Sequence, residues 1–171
     1  MYETKPWLKF YGDIPEHVDY PRVTMYEALM RTAADHPDDI AYDFFDHTAT
    51  YRQFTAEIDR CADALASLGL RKGDRITISM PTCPQAIICF YAVNKLGAVA
   101  SMIHPLSPPK EIEFYLNTAK SRFAFTLDAF YGKFKEVEDN ILEQVGKEGR
   151  FAGDVAENLG MTATMLKSLV K

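Results

Sequence analysis

Between Arg75 and Leu127 the chain repeats one unit three times, and that repeat limits the fold more than any other feature. Arg75-Ile-Thr-Ile-Ser-Met80 alternates as a strand does, Ala98 to Ile103 runs without polar alternation, and Arg122 to Leu127 is a third short apolar stretch. Helical stretches separate them, one opening at Pro84 and closing at Gly97, the other opening at Ser107-Pro108-Pro109 and running through Asn117. Strands joined by helices of about 10–15 residues pair in parallel through right-handed crossovers. A strand with no polar alternation is covered on both faces. The segment Ala86 to Val93 is apolar all round, so the first helix must itself be covered on every side.

The flanking residues extend this core. Residues 1–23 carry prolines at 6, 15 and 21 and several aromatics, the composition of an extended arm laid over a core. Thr24 with Glu27 and Thr50 with Gln53 are capping boxes, each predicting a helix that starts just after the threonine. The first helix runs to about Asp35. The second presents Phe54, Ile58, Ala62, Leu65 and Leu68 on one face and stops at Gly69. Between them, 41–45 and 48–51 predict a short hairpin joined at Asp46-His47. Asp128 caps one more helix. The expected architecture is α/β: a partial parallel βαβ sheet in three layers, with an N-terminal arm and short hairpin, followed by a small all-α tail.

Composition narrows the function. Hydrophobic residues make up 47% and charged residues 25%, the proportions of a globular domain. A net charge of −5 argues against a surface built broadly for nucleic acid or anionic membrane. Cys61, Cys83 and Cys89 have neither the spacing of a zinc site nor the even number of a disulfide framework, and read as buried thiols in a reducing compartment. No apolar run approaches the ~20 residues of a membrane span. The opening MYETKPWLKF lacks the apolar stretch of a secretion signal, so the expected location is the cytoplasm.

Open parallel sheets gather ligands beyond the carboxyl ends of their strands. Two such ends are marked here, Pro81-Thr82 and His104-Pro105, where proline ends the ladder because it has no N–H to give. Tyr91, His104 and Pro105 are therefore the candidate pocket wall. An ordinary βα loop accounts for the same residues, and no partner group in the sequence decides between the two readings.

Three stretches carry a resemblance. Thr50-Tyr51-Arg52-Gln53-Phe54, followed by Leu68-Gly69-Leu70-Arg71-Lys72-Gly73-Asp74-Arg75, is similar to a T-Y-x-E-L and L-G-x-x-x-G-D-x-V pattern. Met80-Pro81-Thr82-Cys83-Pro84-Gln85 is similar to P-N-x-P-E. Lys95-Leu96-Gly97-Ala98-Val99 through Pro105-Leu106-Ser107, then Glu111-Ile112, is similar to K-x-G-A-V, N-P and E-I/L. In this order and spacing they resemble the N-terminal part of the AMP-forming acyl-CoA synthetases, of the adenylate-forming superfamily, over residues 5–137.

That resemblance implies ATP-dependent activation of a carboxylate to an acyl-adenylate, then thioester formation with coenzyme A, with Mg²⁺ and cationic groups offsetting charge. The family grips the phosphates with a Ser/Thr- and Gly-rich loop bearing a lysine. Gly132-Lys133 has no such approach, and Gly146-Lys147-Glu148-Gly149 is short and puts a carboxylate where phosphates would sit. The family's aromatic-Thr-Glu motif, ribose-binding Asp and catalytic Lys are absent from this sequence as well. ATP, Mg²⁺ and coenzyme A are therefore implied for a complete family enzyme and none for this chain. No catalytic or metal-binding residue carries over.

The resemblance divides the chain at 1–137 and 138–171. The tail predicts helices over 141–146, 151–159 and 163–170, with a turn at Gly160-Met161-Thr162 in the spacing of a helix-turn-helix. Its last helix would offer Thr162, Thr164, Lys167, Ser168 and Lys171 to DNA. Four basic and four acidic residues leave 141–171 neutral, a thin supply of phosphate contacts. A helical cap over the sheet and a protein-binding segment remain the alternatives. Because the 86–93 helix needs cover on all sides, the expected partners are a second copy, the tail, or the other subdomains of a ligase.

Overall fold

The computed structural model describes residues 5–145 and 150–151, with side chains through residue 137. After a short 3-10 helix, Pro6–Phe10, the chain runs without regular structure to Thr24. This is the expected arm, but none of its described residues is buried, and Phe10 and Tyr20 are about four-fifths exposed, at 78% and 80%.

Both capping boxes form as the sequence predicts. The Glu27 amide donates to the Thr24 hydroxyl at 3.1 Å and the Thr24 amide to the Glu27 carboxylate at 2.6 Å, starting α1, Met25–Asp35. That pair of bonds, backbone first, holds the Glu27 carboxyl below its usual range. Thr50 and Gln53 repeat the exchange at 3.3 and 2.9 Å ahead of α2, Tyr51–Ser67. The hairpin between them pairs β1, Ile40–Phe44, with β2, His47–Thr50. Its turn is Phe45-Asp46, one residue earlier than expected, with φ of +50° and +65°. Positive φ at both central residues twists the turn to match the strands.

The second sheet is wholly parallel, in the order β4-β3-β5-β6. Its strands are β3, Arg75–Ser79; β4, Val99–Met102; β5, Phe123–Thr126; and β6, Arg150–Phe151. The crossovers are α3, Pro84–Lys95; α4, Pro109–Ala119; and α5, Asp128–Val145. From β3 the chain moves one way to β4, then crosses back over β3 to β5, so α3 and α4 lie on opposite faces. On one face α3 packs against α1 and α2; on the other α4 packs against α5.

Two cores result. Phe54, Ile58, Leu65, Ile76, Ile78 and Val93 belong to the larger, between the sheet and α2/α3; Ile112, Leu116, Ala124, Phe134 and Val137 form the smaller, beneath α4 and α5. Of the five residues expected to line α2, Phe54, Ile58, Ala62 and Leu65 are buried, while Leu68 becomes the C-cap and is only partly buried.

Four expectations change. The apolar helix α3 buries seven of its residues within the chain itself, because α1 and α2 close over it; the Tyr26 amide reaches Asn94 Oδ1 at 2.8 Å across that contact. The cover is not complete, since Ile87 of the same helix is 39% exposed. Ser107 does not cap α4: the N-cap is Pro108, and Ser107 is buried in the preceding turn. Residues 141–145 are the last turn of α5 rather than a separate helix, so α5 runs through position 137 unbroken. Phe151, read as the start of a helix, lies on β6 beside Ala124, where β5 would otherwise present an open edge. The rest of the tail lies outside the described residues.

Candidate functional site

The carboxyl ends of β3 and β4 mark where the sequence placed a pocket. Ile103 N donates to Ile78 O at 3.0 Å as the last bond of that ladder, and Pro105 then ends it. A turn closes at once, with Ser107 N donating to His104 O at 3.1 Å and Leu106 N to His104 Nδ1 at 3.2 Å. An Nδ1 that accepts leaves the proton of the neutral imidazole on Nε2. Lys133 Nζ, on α5, donates to Ser107 O at 3.3 Å and ties the turn to the smaller core.

His104 lines a hollow of about 360 Å³ with Ser101, Met102, Ile103, Tyr115, Thr118 and Ala119, between the edge strand β4 and α4. Pro105, half-buried beside it, is not part of that wall. Tyr91 is on α3 in the other layer, edge-on to Phe54 with ring centroids 5.9 Å apart, and does not face His104's hollow. Of the three proposed wall residues the fold thus brings only His104 to this cavity. Thr162, Thr164, Lys167, Ser168 and Lys171 lie outside the described residues.

A larger hollow, about 420 Å³, opens between the hairpin, α2 and the start of α3. Tyr42 and Phe44, two apart on β1, share one face and form a wall. Ala49, Pro84 and Gln85 are the buried floor, and Glu57 and Arg60 enter from α2. The Tyr42 hydroxyl donates to Glu57 Oε2 at 3.1 Å. Burial first, then the Glu57 charge and this bond, push the Tyr42 phenol up to about 12. None of these residues was singled out from the sequence as a site. The available signals were the Tyr42/Phe44 alternation and the 57/60 spacing, but they meet only when the hairpin folds back on α2.

A raised phenol gives a pH signature. The proton is held more tightly in the folded chain than in the unfolded one. This contribution to stability is therefore complete below about pH 10 and lost as pH rises through about 12. In an ultraviolet titration Tyr42→Phe is expected to remove the tyrosine that ionises at about pH 12 and leave the earlier ones. Loss of an early-titrating tyrosine instead would contradict the Tyr42–Glu57 bond.

The thiols carry no nucleophile. Cys61, Cys83 and Cys89 are all free and buried. A hydrogen bond with Cys61, and then burial, push the Cys89 thiol up, and burial does the same to Cys83. Among the described residues no three His, Cys, Asp or Glu side chains converge as metal ligands. Nor does Gly132-Lys133 form a phosphate cradle: Gly132 is inside α5, where its backbone is helical, and Lys133 is turned to Ser107.

The parallel sheet is covered on both faces and its order reverses at its first strand, an α/β arrangement on which the three sequence motifs fall in order. The profile of the family described as AMP-binding enzyme matches residues 29–162, and the chain belongs to that family. The match passes residue 137, the limit drawn for the sequence resemblance. The chain corresponds to the N-terminal region of acyl-CoA ligases. It is 32% identical over 147 residues to the long-chain-fatty-acid–CoA ligase of Bacillus subtilis strain 168, covering 85% of this chain and 26% of that ligase. The N-terminal domain of FACL13 from Mycobacterium tuberculosis superposes with a TM-score of 0.66 at 30% identity, over 80% of this chain and 36% of that one. The anthranilate CoA ligase AuaEII shares the fold, with a TM-score of 0.66 at 24% identity, over 76% of this chain and 24% of that one. This chain therefore spans about a quarter of the length of the Bacillus ligase. Among the described residues no helix is long and apolar enough to cross a membrane.

Proposed function

We propose that this chain is the N-terminal portion of an AMP-forming acyl- or fatty-acid–CoA ligase and does not activate carboxylates by itself. The observation that carries the reading is a conflict within one molecule. The family's strand and helix motifs occupy their places, yet the only glycine–lysine pair among the described residues sits inside α5. An adenylating transition state needs preorganised cations and backbone N–H groups around the phosphates. Here the helix has already used those N–H groups. ATP, Mg²⁺ and coenzyme A belong in this reading to the assembled enzyme, and the partner is the remainder of a ligase. Three buried free thiols suit a reducing compartment, and we place the chain in the cytoplasm.

ATP–pyrophosphate exchange with a panel of short-, medium- and long-chain carboxylates tests this. The expected result is exchange at the no-enzyme background for every acid. Exchange that rises with protein concentration and requires magnesium would overturn the proposal.

A further inference from the structure

We infer that the hollow between the hairpin and α2 is a binding site for a small zwitterion bearing a flat apolar group, the chemistry of a free aromatic α-amino acid. Its volume of about 420 Å³ is that of a small-molecule site, within the usual range of roughly 300–1,000 Å³. The wall is aromatic, from Tyr42 and Phe44, and the floor includes the buried Ala49 and Pro84. A planar side chain stacks or packs edge-on against such surfaces.

The charges choose the ligand. Glu57 and Arg60 are three residues apart on α2, so they face the same side, and both line the hollow. They do not pair with each other. Tyr42 holds one Glu57 oxygen at 3.1 Å, and the Arg60 guanidinium has no hydrogen bond or ion pair among the described residues. A simple anion would meet Arg60 but be repelled by Glu57, and a simple cation would meet the reverse. A zwitterion satisfies both, its carboxylate on the guanidinium fork and its ammonium on the remaining Glu57 oxygen. His47 and Thr48 at the rim and Gln85 in the floor add hydrogen-bonding groups without fixing a net sign. The inference does not rest on the ligase reading, since it needs neither ATP nor coenzyme A.

The test uses the 171-residue chain, labelled with ¹⁵N and titrated separately with L-phenylalanine, 3-phenylpropanoate and phenethylamine. L-phenylalanine is expected to shift the amides of Thr48, Ala49, Glu57 and Arg60 saturably at millimolar concentration. The two analogues, each lacking one charge, are expected to bind on the order of tenfold more weakly, the loss of one charge-assisted contact. Arg60→Gln should weaken L-phenylalanine by a similar factor and leave phenethylamine unchanged; Glu57→Gln should leave 3-phenylpropanoate no weaker. Ala56→Phe, at an exposed position on the same wall, should abolish all three by filling the space. Equal binding of the three probes, no saturable shift with L-phenylalanine, or shifts that survive Ala56→Phe overturns the assignment. Pyrophosphate exchange is a separate readout, so either reading can fail without the other.

Discussion

Replacing Phe134 with alanine is expected to lower the folding stability by about 3–5 kcal/mol, the usual cost of emptying a phenylalanine site in a core. Phe134 is 1% exposed, packed with Ile112 and Leu116 of α4, Ala124 of β5 and Val137 one turn further along α5. Among the described residues this second core has five buried members, and Phe134 is the largest of them. Against a typical stability of ~5–15 kcal/mol, the loss should be visible as a much lower urea midpoint with an unchanged slope. Leu106→Ala is the control: at 65% exposure it should stay within about 0.5 kcal/mol. A loss below about 1 kcal/mol for Phe134→Ala would mean that α5 does not pack on this face.

The second large effect is polar. Thr77, on the central strand and 0% exposed, donates its hydroxyl proton to Ser121 Oγ at 2.8 Å, and Ser121 is itself only 4% exposed. Thr77→Val keeps the shape and strands the serine hydroxyl, and Ser121→Ala strands the threonine. Each should cost about 1–3 kcal/mol, the penalty of an unsatisfied buried group. The double substitution removes both partners and should cost much less than the sum, with a coupling of about 0.5–3 kcal/mol. Strict additivity in that cycle would show that the two hydroxyls do not depend on each other.

The cause of these effects was unequally legible. Thr77 reads in the sequence as a polar step in an alternating strand, facing outward; in the structure α4 and α5 cover that face, and the hydroxyl needs a partner 44 residues away. The capping boxes at Thr24 and Thr50 were readable because their bonds span three residues. The left-handed stop at Gly69 was readable for the same reason, with φ of +98°. The separate helix expected over 141–146 was misplaced because a local pattern cannot show whether a helix continues on the strength of packing upstream, as α5 does behind Phe134 and Val137. Of the proposed wall, His104 lines the hollow beside α4 while Tyr91 packs on Phe54 in the other layer, a separation that only the layer order decides.

What the amino-acid order determined by itself was local and periodic: where helices begin, which face of α2 is apolar, that three strands run parallel, and which family the motifs resemble. Tertiary structure decided what meets what. It closed α1 and α2 over α3, left Glu57 and Arg60 unpaired with each other beside an aromatic wall, and turned Lys133 toward a backbone carbonyl. Hydrogen bonds within a turn and the period of a helix act over a few residues, so they are written in neighbours. Burial and charge pairing depend on distances between segments far apart in the chain, and those exist only after folding.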